Sequence, residues 1–282
     1  MNYRHAYHAG NIGDVLKHAV LAACLTYLKR KDQPFRVIDT HAGIGAYPLA
    51  LEEMQKTGEW QRGIGRVLAE ARPDAVARIL APWLEAVAAA NPAGPLEIYP
   101  GSPMLARMLM RPQDRLTLTE LHPADHATLA GRFAGDWQVK VIHLDGWLAL
   151  GSFVPPKEKR GLVLIDPAFE VTDEFERIAD GLVKAWKRWT NGMYLVWYPL
   201  KDRKGIDRFH RTLEEAGVRD VLTLELSIGR SDPDSPMRGS GMTLVNAPYT
   251  LADDMRVALP WLRDVLGEGP DAEAVVRQII PE

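Results

Sequence analysis

The sequence predicts an α/β fold built on a mostly parallel β-sheet. Short apolar runs that are typical of buried strands alternate with segments of helical periodicity, and this alternation favours parallel strands. The last two apolar runs are joined by residues 228–241, which are rich in Gly, Ser, Pro and Asp. A parallel crossover needs about a dozen residues and usually contains a helix, but this loop has no helical periodicity. Its composition favours an antiparallel return of the chain. We therefore expect six parallel strands and an antiparallel seventh.

Composition restricts the class of protein. The chain has 282 residues, 46% of them hydrophobic and 25% charged, as in a globular protein that can bury a core, and we expect a single domain over 1–282. Its one cysteine, Cys24, excludes a disulfide framework and is expected in the core. No apolar stretch approaches the roughly 20 residues of a membrane span, and the N-terminus lacks the apolar region of a secretory signal. We expect a cytoplasmic protein.

The elements follow in order along the chain. The first helix is predicted over 12–31, with Asn11 as its N-cap and Asp14 in its first turn, where an acid is favoured by the helix dipole. The seven candidate strands are 35–42, 116–121, 139–144, 162–166, 194–198, 221–226 and 242–246.

An insertion is predicted between the first two strands. In nucleotide-binding βαβ units the acid that binds the ribose lies about 20 residues beyond the glycine loop, but here Glu120 lies far beyond the loop at 39–45. The Ala-, Glu- and Arg-rich segment between them is typical of several helices. A further helix is predicted to begin at Ser102, as N-cap, with Pro103 as its first residue. These observations predict a helical insertion subdomain over 48–98 within the single domain.

Polar residues follow four of the predicted strands. The glycine loop at 39–45 follows the first, Glu120 ends the second, Asp145-Gly146 follows the third and Asp166 ends the fourth. Open α/β sheets bind ligands at the carboxyl ends of their strands. A carboxylate there can hold two ribose hydroxyls, and an Asp can accept from an adenine amino group. Each residue alone is compatible with an ordinary turn, but together they favour a site for a nucleoside-containing cofactor.

Basic residues are concentrated in two segments although the net charge is −3. Residues 1–36 carry six Lys and Arg against two acids, and residues 184–211 carry eight against two. The two segments are compatible with a face that contacts phosphates and equally with solvated helix surfaces.

The chain resembles the RlmJ family of 23S rRNA adenine-N6 methyltransferases from end to end. The tetrad at 166–169, Asp-Pro-Ala-Phe, is similar to the Asp-Pro-Pro-Tyr/Phe motif of enzymes that methylate exocyclic amines of bases. The other matching stretches are 3–18, 39–47, 57–66, 99–103, 116–123, 145–146, 160–170, 195–200, 239–249 and 259–262.

This resemblance implies a Rossmann-like class I methyltransferase fold and S-adenosyl-L-methionine as cofactor, with S-adenosyl-L-homocysteine as product. It implies that Glu120 holds the ribose, Asp145 the adenine, and Ser102 and the histidines the methionine end. The full implied cofactor site is His18, His41, Ser102, Glu120, Asp145, Gly146 and Asp166. The implied catalytic residues are Asp166, Pro167 and Phe169, and Tyr3 and Arg4 are implied to contact RNA.

The resemblance further implies 23S rRNA, naked or partly assembled, as partner, and we expect a monomer. We expect no metal, because the histidines at 5, 8, 18 and 41 lack the spaced Cys or carboxylate partners of a zinc site. Ala168 departs from the family pattern, which has a second proline there. Three alternatives remain: a DNA adenine-N6 methyltransferase, a catalytically weakened nucleic-acid-binding homologue, and a nicotinamide oxidoreductase, which the absence of a GxGxxG pattern disfavours.

Overall fold

The fold is described from a computed structural model, which covers residues 4–229 and 239–282. Tyr3 and most of the loop predicted to reverse the chain before the last strand lie outside these residues. The helices are α1 Ile12–Leu28, α2 Glu52–Thr57, α3 Glu59–Arg62, α4 Ile64–Ala69, α5 Asp74–Ala89, α6 Ser102–Leu109, α7 Pro123–Arg132, α8 Gly146–Phe153, α9 Glu174–Arg188, α10 Arg203–Glu215 and α11 Leu251–Leu266. The strands are β1 Arg36–Asp39, β2 Ala46–Pro48, β3 Ile98–Pro100, β4 Arg115–Glu120, β5 Val139–His143, β6 Gly161–Ile165, β7 Met193–Pro199, β8 Val221–Gly229, β9 Gly239–Val245 and β10 Asp271–Ile280.

The main sheet has eight strands in the order β10-β8-β9-β7-β6-β1-β4-β5. Strands β1, β4, β5, β6 and β7 pair in parallel, and β9 lies antiparallel between β7 and β8. All seven predicted strands and the antiparallel direction of β9 are therefore confirmed. The predicted strand number of seven is wrong, because β10 adds an antiparallel edge strand to β8.

Helices cover both faces of the sheet. One face packs against α1, α6, α7 and α11, and the other against α8, α9 and α10. Helix α1 is buried on nearly all sides, including its polar residues Asp14, Lys17 and His18. Cys24 is buried in this core, as predicted.

Two predictions about helix ends are corrected. Asn11 does cap α1, accepting from the Asp14 N–H, but the helix ends at Leu28 rather than at residue 31. The guanidinium of Arg160 donates to the Leu28 carbonyl at 2.6 Å and so satisfies the helix end there. Ser102 is not the N-cap of α6; Gly101 is, and the Ser102 hydroxyl donates instead to Asp39.

The segment predicted as an insertion contains helices α2 to α5. It is closed by antiparallel pairing of β2 with β3, so the chain leaves and re-enters the fold at neighbouring points. Helix α5 packs against α1, α6 and α11, and Pro82 lies inside it without ending it. The assignment of 48–98 as a subdomain stays a prediction.

Candidate active site

The carboxyl ends of the parallel strands form one edge of the sheet, and the predicted acids meet there. Three adjoining pockets of about 570 Å³ each lie along this edge. We call them the β5 pocket (with Asp145 and Trp147), the central pocket (with Ser102 and Tyr47) and the N-terminal pocket (with His8 and Phe169).

The β5 pocket is built around the turn that follows β5. Asp145 caps α8, where its Oδ1 accepts from the Trp147 N–H at 2.9 Å. Gly146 is required by packing, because a Cβ there would overlap the Thr40 carbonyl. His41 lines both this pocket and the central pocket. Burial lowers the pKa of His41 to about 4, so its imidazole is neutral at neutral pH.

Glu120 lies between the β5 and central pockets with its carboxylate held by the backbone. Its Oε2 accepts from the Gly43 N–H and its Oε1 from the His122 N–H, each at 2.8 Å. Gly43 has a φ of +59°, and a Cβ there would overlap the Tyr47 hydroxyl. The glycine loop therefore fixes the orientation of this acid.

Behind the central pocket, Asp39 is 2% exposed. It accepts from the Ser102 hydroxyl at 2.7 Å and from the His41 N–H at 3.2 Å. Burial raises the pKa of Asp39 to about 6, and the nearby Asp166 carboxylate acts in the same direction. Sequence reasoning had assigned Asp39 no role of its own.

His18 is fully buried and is not among the side chains that line the three pockets. Its Nδ1 lies 2.7 Å from the Tyr99 hydroxyl, and its Nε2 has no hydrogen-bond partner in the described part of the chain. Burial lowers the pKa of His18 to about 3. His18 is adjacent in sequence to Lys17, which does line the central pocket.

Asp166 lines both the central and the N-terminal pocket and is held by a lysine that sequence reasoning missed. The Lys17 ammonium lies 2.5 Å from Asp166 Oδ2 and 2.7 Å from Asp14 Oδ1. Lys17 is 2% exposed. Burial opposes its charge, but the two carboxylates outweigh burial and raise the pKa of Lys17 above its usual value. This charge-assisted contact fixes the orientation of the Asp166 carboxylate, which lines both pockets.

The tetrad at 166–169 lies where the three pockets adjoin. Ala168 lines all three pockets, Pro167 lines the β5 pocket and Phe169 lines the N-terminal pocket. Phe169 has a φ of +51°, an uncommon conformation for a residue with a side chain. Its ring is 5.9 Å from the Trp197 ring, and together they form an aromatic wall. Backbone strain of this kind is concentrated at functional sites.

The side chain of Arg4 is held by two acidic residues. Its guanidinium lies 2.7 Å from Glu53 and 3.0 Å from Asp125, with 35% of the side chain exposed. Tyr3, the other residue implied to contact RNA, lies outside the described residues.

Within residues 4–229 and 239–282, no helix is long and apolar enough to cross a bilayer. No cluster of three or more His, Cys, Asp or Glu side chains there is arranged to hold a metal ion.

Comparisons with known proteins point to one family. The family described as "Ribosomal RNA large subunit methyltransferase D, RlmJ" matches residues 32–278. Proteins named "Ribosomal RNA large subunit methyltransferase J" from Escherichia coli K12 and Haemophilus influenzae are 41% and 40% identical, each over 100% of both chains. A crystal structure of a Legionella pneumophila protein superposes with a TM-score of 0.87 at 32% identity, covering 96% of this chain and 98% of that one. The chain therefore belongs to the RlmJ family of methyltransferases.

Proposed function

We propose that this protein transfers a methyl group from S-adenosyl-L-methionine to the N6 amine of a specific adenine in 23S rRNA. The observation that carries the proposal is the position of Asp166. Its carboxylate, held by Lys17, lies where the central pocket meets the N-terminal pocket with its aromatic wall. The names of the full-length relatives support ribosomal RNA as the substrate.

The residues present fit the cofactor. Glu120, whose orientation is fixed by the Gly43 and His122 N–H groups, would hold the two ribose hydroxyls. Asp145 and Gly146 would bind the adenine in the β5 pocket. Ser102 and the neutral His41 would take the methionine end, and Asp166 would line the position of the sulfonium group.

We also assign His18 to the methionine end, on the resemblance to the family alone. The side chain lines none of the three pockets, and its buried Nε2 lies 3.9 Å from Asp14, which in turn contacts Lys17. His18 would therefore act on the site through these neighbours rather than by touching the cofactor.

The target base would occupy the N-terminal pocket. An adenine N6 is a weak nucleophile because its lone pair is conjugated with the ring. Asp166 would accept a hydrogen bond from one of the amine's N–H groups, and the resemblance to the family assigns the other to the carbonyl of Pro167, which lines the neighbouring β5 pocket. These acceptors would favour the pyramidal amine, whose lone pair can attack a methyl group. The N6–C bond would form as the S–C bond of the cofactor breaks, and the proton that N6 loses would pass through Asp166 to solvent. The cofactor supplies that methyl in an activated form, on a sulfonium. The remaining catalysis is positioning and electrostatics, and Phe169 would stack on the unstacked base.

We further propose naked or partly assembled 23S rRNA as the form of the substrate, and a cytoplasmic monomer as the form of the enzyme. The net charge of −3 fits an enzyme that reads one local RNA shape rather than one that coats nucleic acid. DNA is the second candidate substrate, because the chemistry at Asp166 is the same for a DNA adenine.

The test is methyl transfer from labelled S-adenosyl-L-methionine to deproteinised 23S rRNA from cells that lack this protein. Mass spectrometry of the nucleosides identifies the product, and Asp166→Ala is measured alongside. We expect N6-methyladenosine with the wild type and none with the variant. Transfer to duplex DNA in preference to RNA would contradict the proposed substrate, and cofactor binding without any transfer would identify a catalytically weakened homologue.

A further inference from the structure

Two stretches that match the family, 3–18 and 57–66, have no role in the proposed chemistry apart from Lys17 and His18. The structure brings them together. The His8 Nδ1 lies 3.0 Å from Glu59 Oε1, and the Asn11 side-chain amide donates to Glu59 Oε2 at 2.9 Å. The Ile64 N–H donates to the Gly10 carbonyl at 2.9 Å. One glutamate of the insertion thus contacts both ends of the segment 8–11.

The backbone of the two stretches is in direct contact. A Cβ at Gly63 would overlap the Gly10 carbonyl, so only glycine lets the chains approach this closely. The Thr57 hydroxyl donates to the Tyr7 carbonyl at 2.5 Å, and the Arg4 guanidinium pairs with Glu53 at 2.7 Å. The whole segment 4–11 therefore lies on helices α2 to α4.

The same segment lines the N-terminal pocket. His5, His8 and Asn11 contribute to its lining, together with Glu59 of the insertion and Asp166 and Phe169 of the tetrad. His5 also lines the central pocket, whereas His8, Asn11 and Glu59 do not. The β5 and central pockets contain no residue of α2 to α4. The insertion therefore contributes to the pocket we assign to the target base and not to those we assign to the cofactor.

We propose that helices α2 to α4 form a platform that holds the N-terminal segment 4–11 over the target base, and that Glu59 is the positioning residue of this platform. The inference rests on the proposed function only in naming the pocket's occupant as a base of the RNA substrate. In this arrangement helices α2 to α4 are part of the substrate site, whereas α5 of the same insertion packs against α1, α6 and α11. Glu59 acts through His8 and Asn11, whose side chains it orients.

The test compares Glu59→Ala and Glu59→Gln with Glu70→Ala. Glu70 is an exposed glutamate at the end of α4 and lines none of the three pockets. Because hydrogen bonds to a charged group are lost, we expect Glu59→Ala to raise the KM for RNA by about ten-fold or more. We expect the dissociation constant for S-adenosyl-L-methionine to change by less than about two-fold. Glu59→Gln keeps an acceptor for the Asn11 amide and should recover most of the RNA affinity.

A second measurement does not depend on activity. Amide hydrogen exchange should speed up over 4–11 in Glu59→Ala, with the core of α1 and the strand β6 protected as in the wild type. Equal KM values for Glu59→Ala and Glu70→Ala, or unchanged exchange over 4–11, would overturn the inference. If the wild type methylates no RNA, the proposed function fails, and the exchange experiment still decides whether the platform exists.

Discussion

At the scale of single residues, the Lys17 ammonium joins two carboxylates that are far apart in the sequence, Asp14 and Asp166. Replacing Lys17 by Met leaves both without their shared cation. Breaking a buried pair in this way costs about 3–5 kcal/mol of the free energy of unfolding. We expect urea unfolding of Lys17→Met to show this loss of stability. We also expect the variant to lose methyl transfer. Lys184→Met is the control, because the Lys184 pair with Asp180 is exposed and contributes under about 1 kcal/mol.

A double variant separates the two effects. Adding Asp14→Asn to Lys17→Met removes one of the two buried carboxylates that have lost the cation, while the Gly10 N–H can still donate to the side-chain oxygen at this position. Stability should therefore partly return. Activity should not return, because Asp166 still lacks the group that fixes it. Recovery of methyl transfer in the double variant would show that Lys17 serves stability alone.

Asp39 gives a prediction about pH. Its pKa of about 6 in the folded protein exceeds the usual 3.8, so between these values the folded state holds a proton that the unfolded chain has released. Stability from this group is therefore present below pH 4 and is lost as pH rises to 6. Relative to wild type, Asp39→Asn should gain about 3 kcal/mol between pH 4 and pH 7. Urea unfolding across this range checks it, with the exposed Asp253→Asn as control; curves that stay parallel for Asp39→Asn would contradict it.

The variant Ala168→Pro tests what the departure from the family's tetrad does to activity. Restoring proline at this position removes backbone freedom from the loop that carries Asp166 and Phe169. Where the backbone is compatible, such a change is worth about 0.4–1 kcal/mol. If that rigidity is used in the transition state, kcat should rise about two- to five-fold. The KM for the cofactor should stay constant. A fall in kcat would show that the loop at Ala168 needs a conformation that proline excludes.

At the scale of elements, close contact between the insertion and the N-terminal segment predicts the effect of Gly63→Ala. The added Cβ must displace the Gly10 carbonyl and with it the segment that lines the N-terminal pocket. We expect a rise in the KM for RNA with cofactor affinity unchanged. Gly131→Ala in α7 is the matched control, because a Cβ there meets nothing within 4 Å. Equal effects of the two variants would show that the contact has no influence on substrate binding.

The elements also show what the sequence could and could not predict. Strands such as β6, which is buried at every position, are continuous apolar runs because both faces of the sheet are covered by helices. Strand β10 was missed because it lies at an edge and four of its ten residues are exposed, which weakens the apolar signal. Strands β2 and β3 have three residues each, too few for a pattern.

Some residues of the candidate site could be predicted from the sequence and others could not. Acids at strand ends are visible in sequence, because a strand's end predicts which edge of the sheet a residue occupies. Lys17 was not visible. A lysine in a helix usually indicates a solvated face, and its partner Asp166 is 149 residues away. Contacts such as Glu59 with His8 depend on how the insertion folds back, which no local pattern specifies.

At the scale of the whole molecule, the topology places the two halves of the basic segment 184–211 at different distances from the candidate site. Helix α10 begins at the carboxyl edge, directly after β7, and Lys201 lines the N-terminal pocket. Helix α9 starts at the same edge and runs away from it, so Lys184 lies about 15 Å further along its axis from the start of that helix. Lys201, in the turn between β7 and α10, is therefore placed to contact RNA phosphates beside the target base.

We expect Lys201→Ala to weaken RNA binding and to reduce the slope of log Kd against log salt concentration by about one. Lys184→Ala should leave the slope unchanged. Fluorescence anisotropy with a labelled stem-loop at several salt concentrations measures both. Equal slopes for Lys201→Ala and the wild type would remove Lys201 from the RNA interface.

The pairing of β2 with β3 has a consequence for how such an enzyme can change its substrate. Because the two strands lie side by side, the ends of the insertion are already joined, and a longer or shorter segment between them alters the free energy of loop closure only slightly. The parallel strands that carry Glu120 and Asp166 lie outside this closure. An insertion taken from a relative could therefore be transplanted at 48 and 98, giving the same methyl-transfer machinery a different surface for recognising RNA.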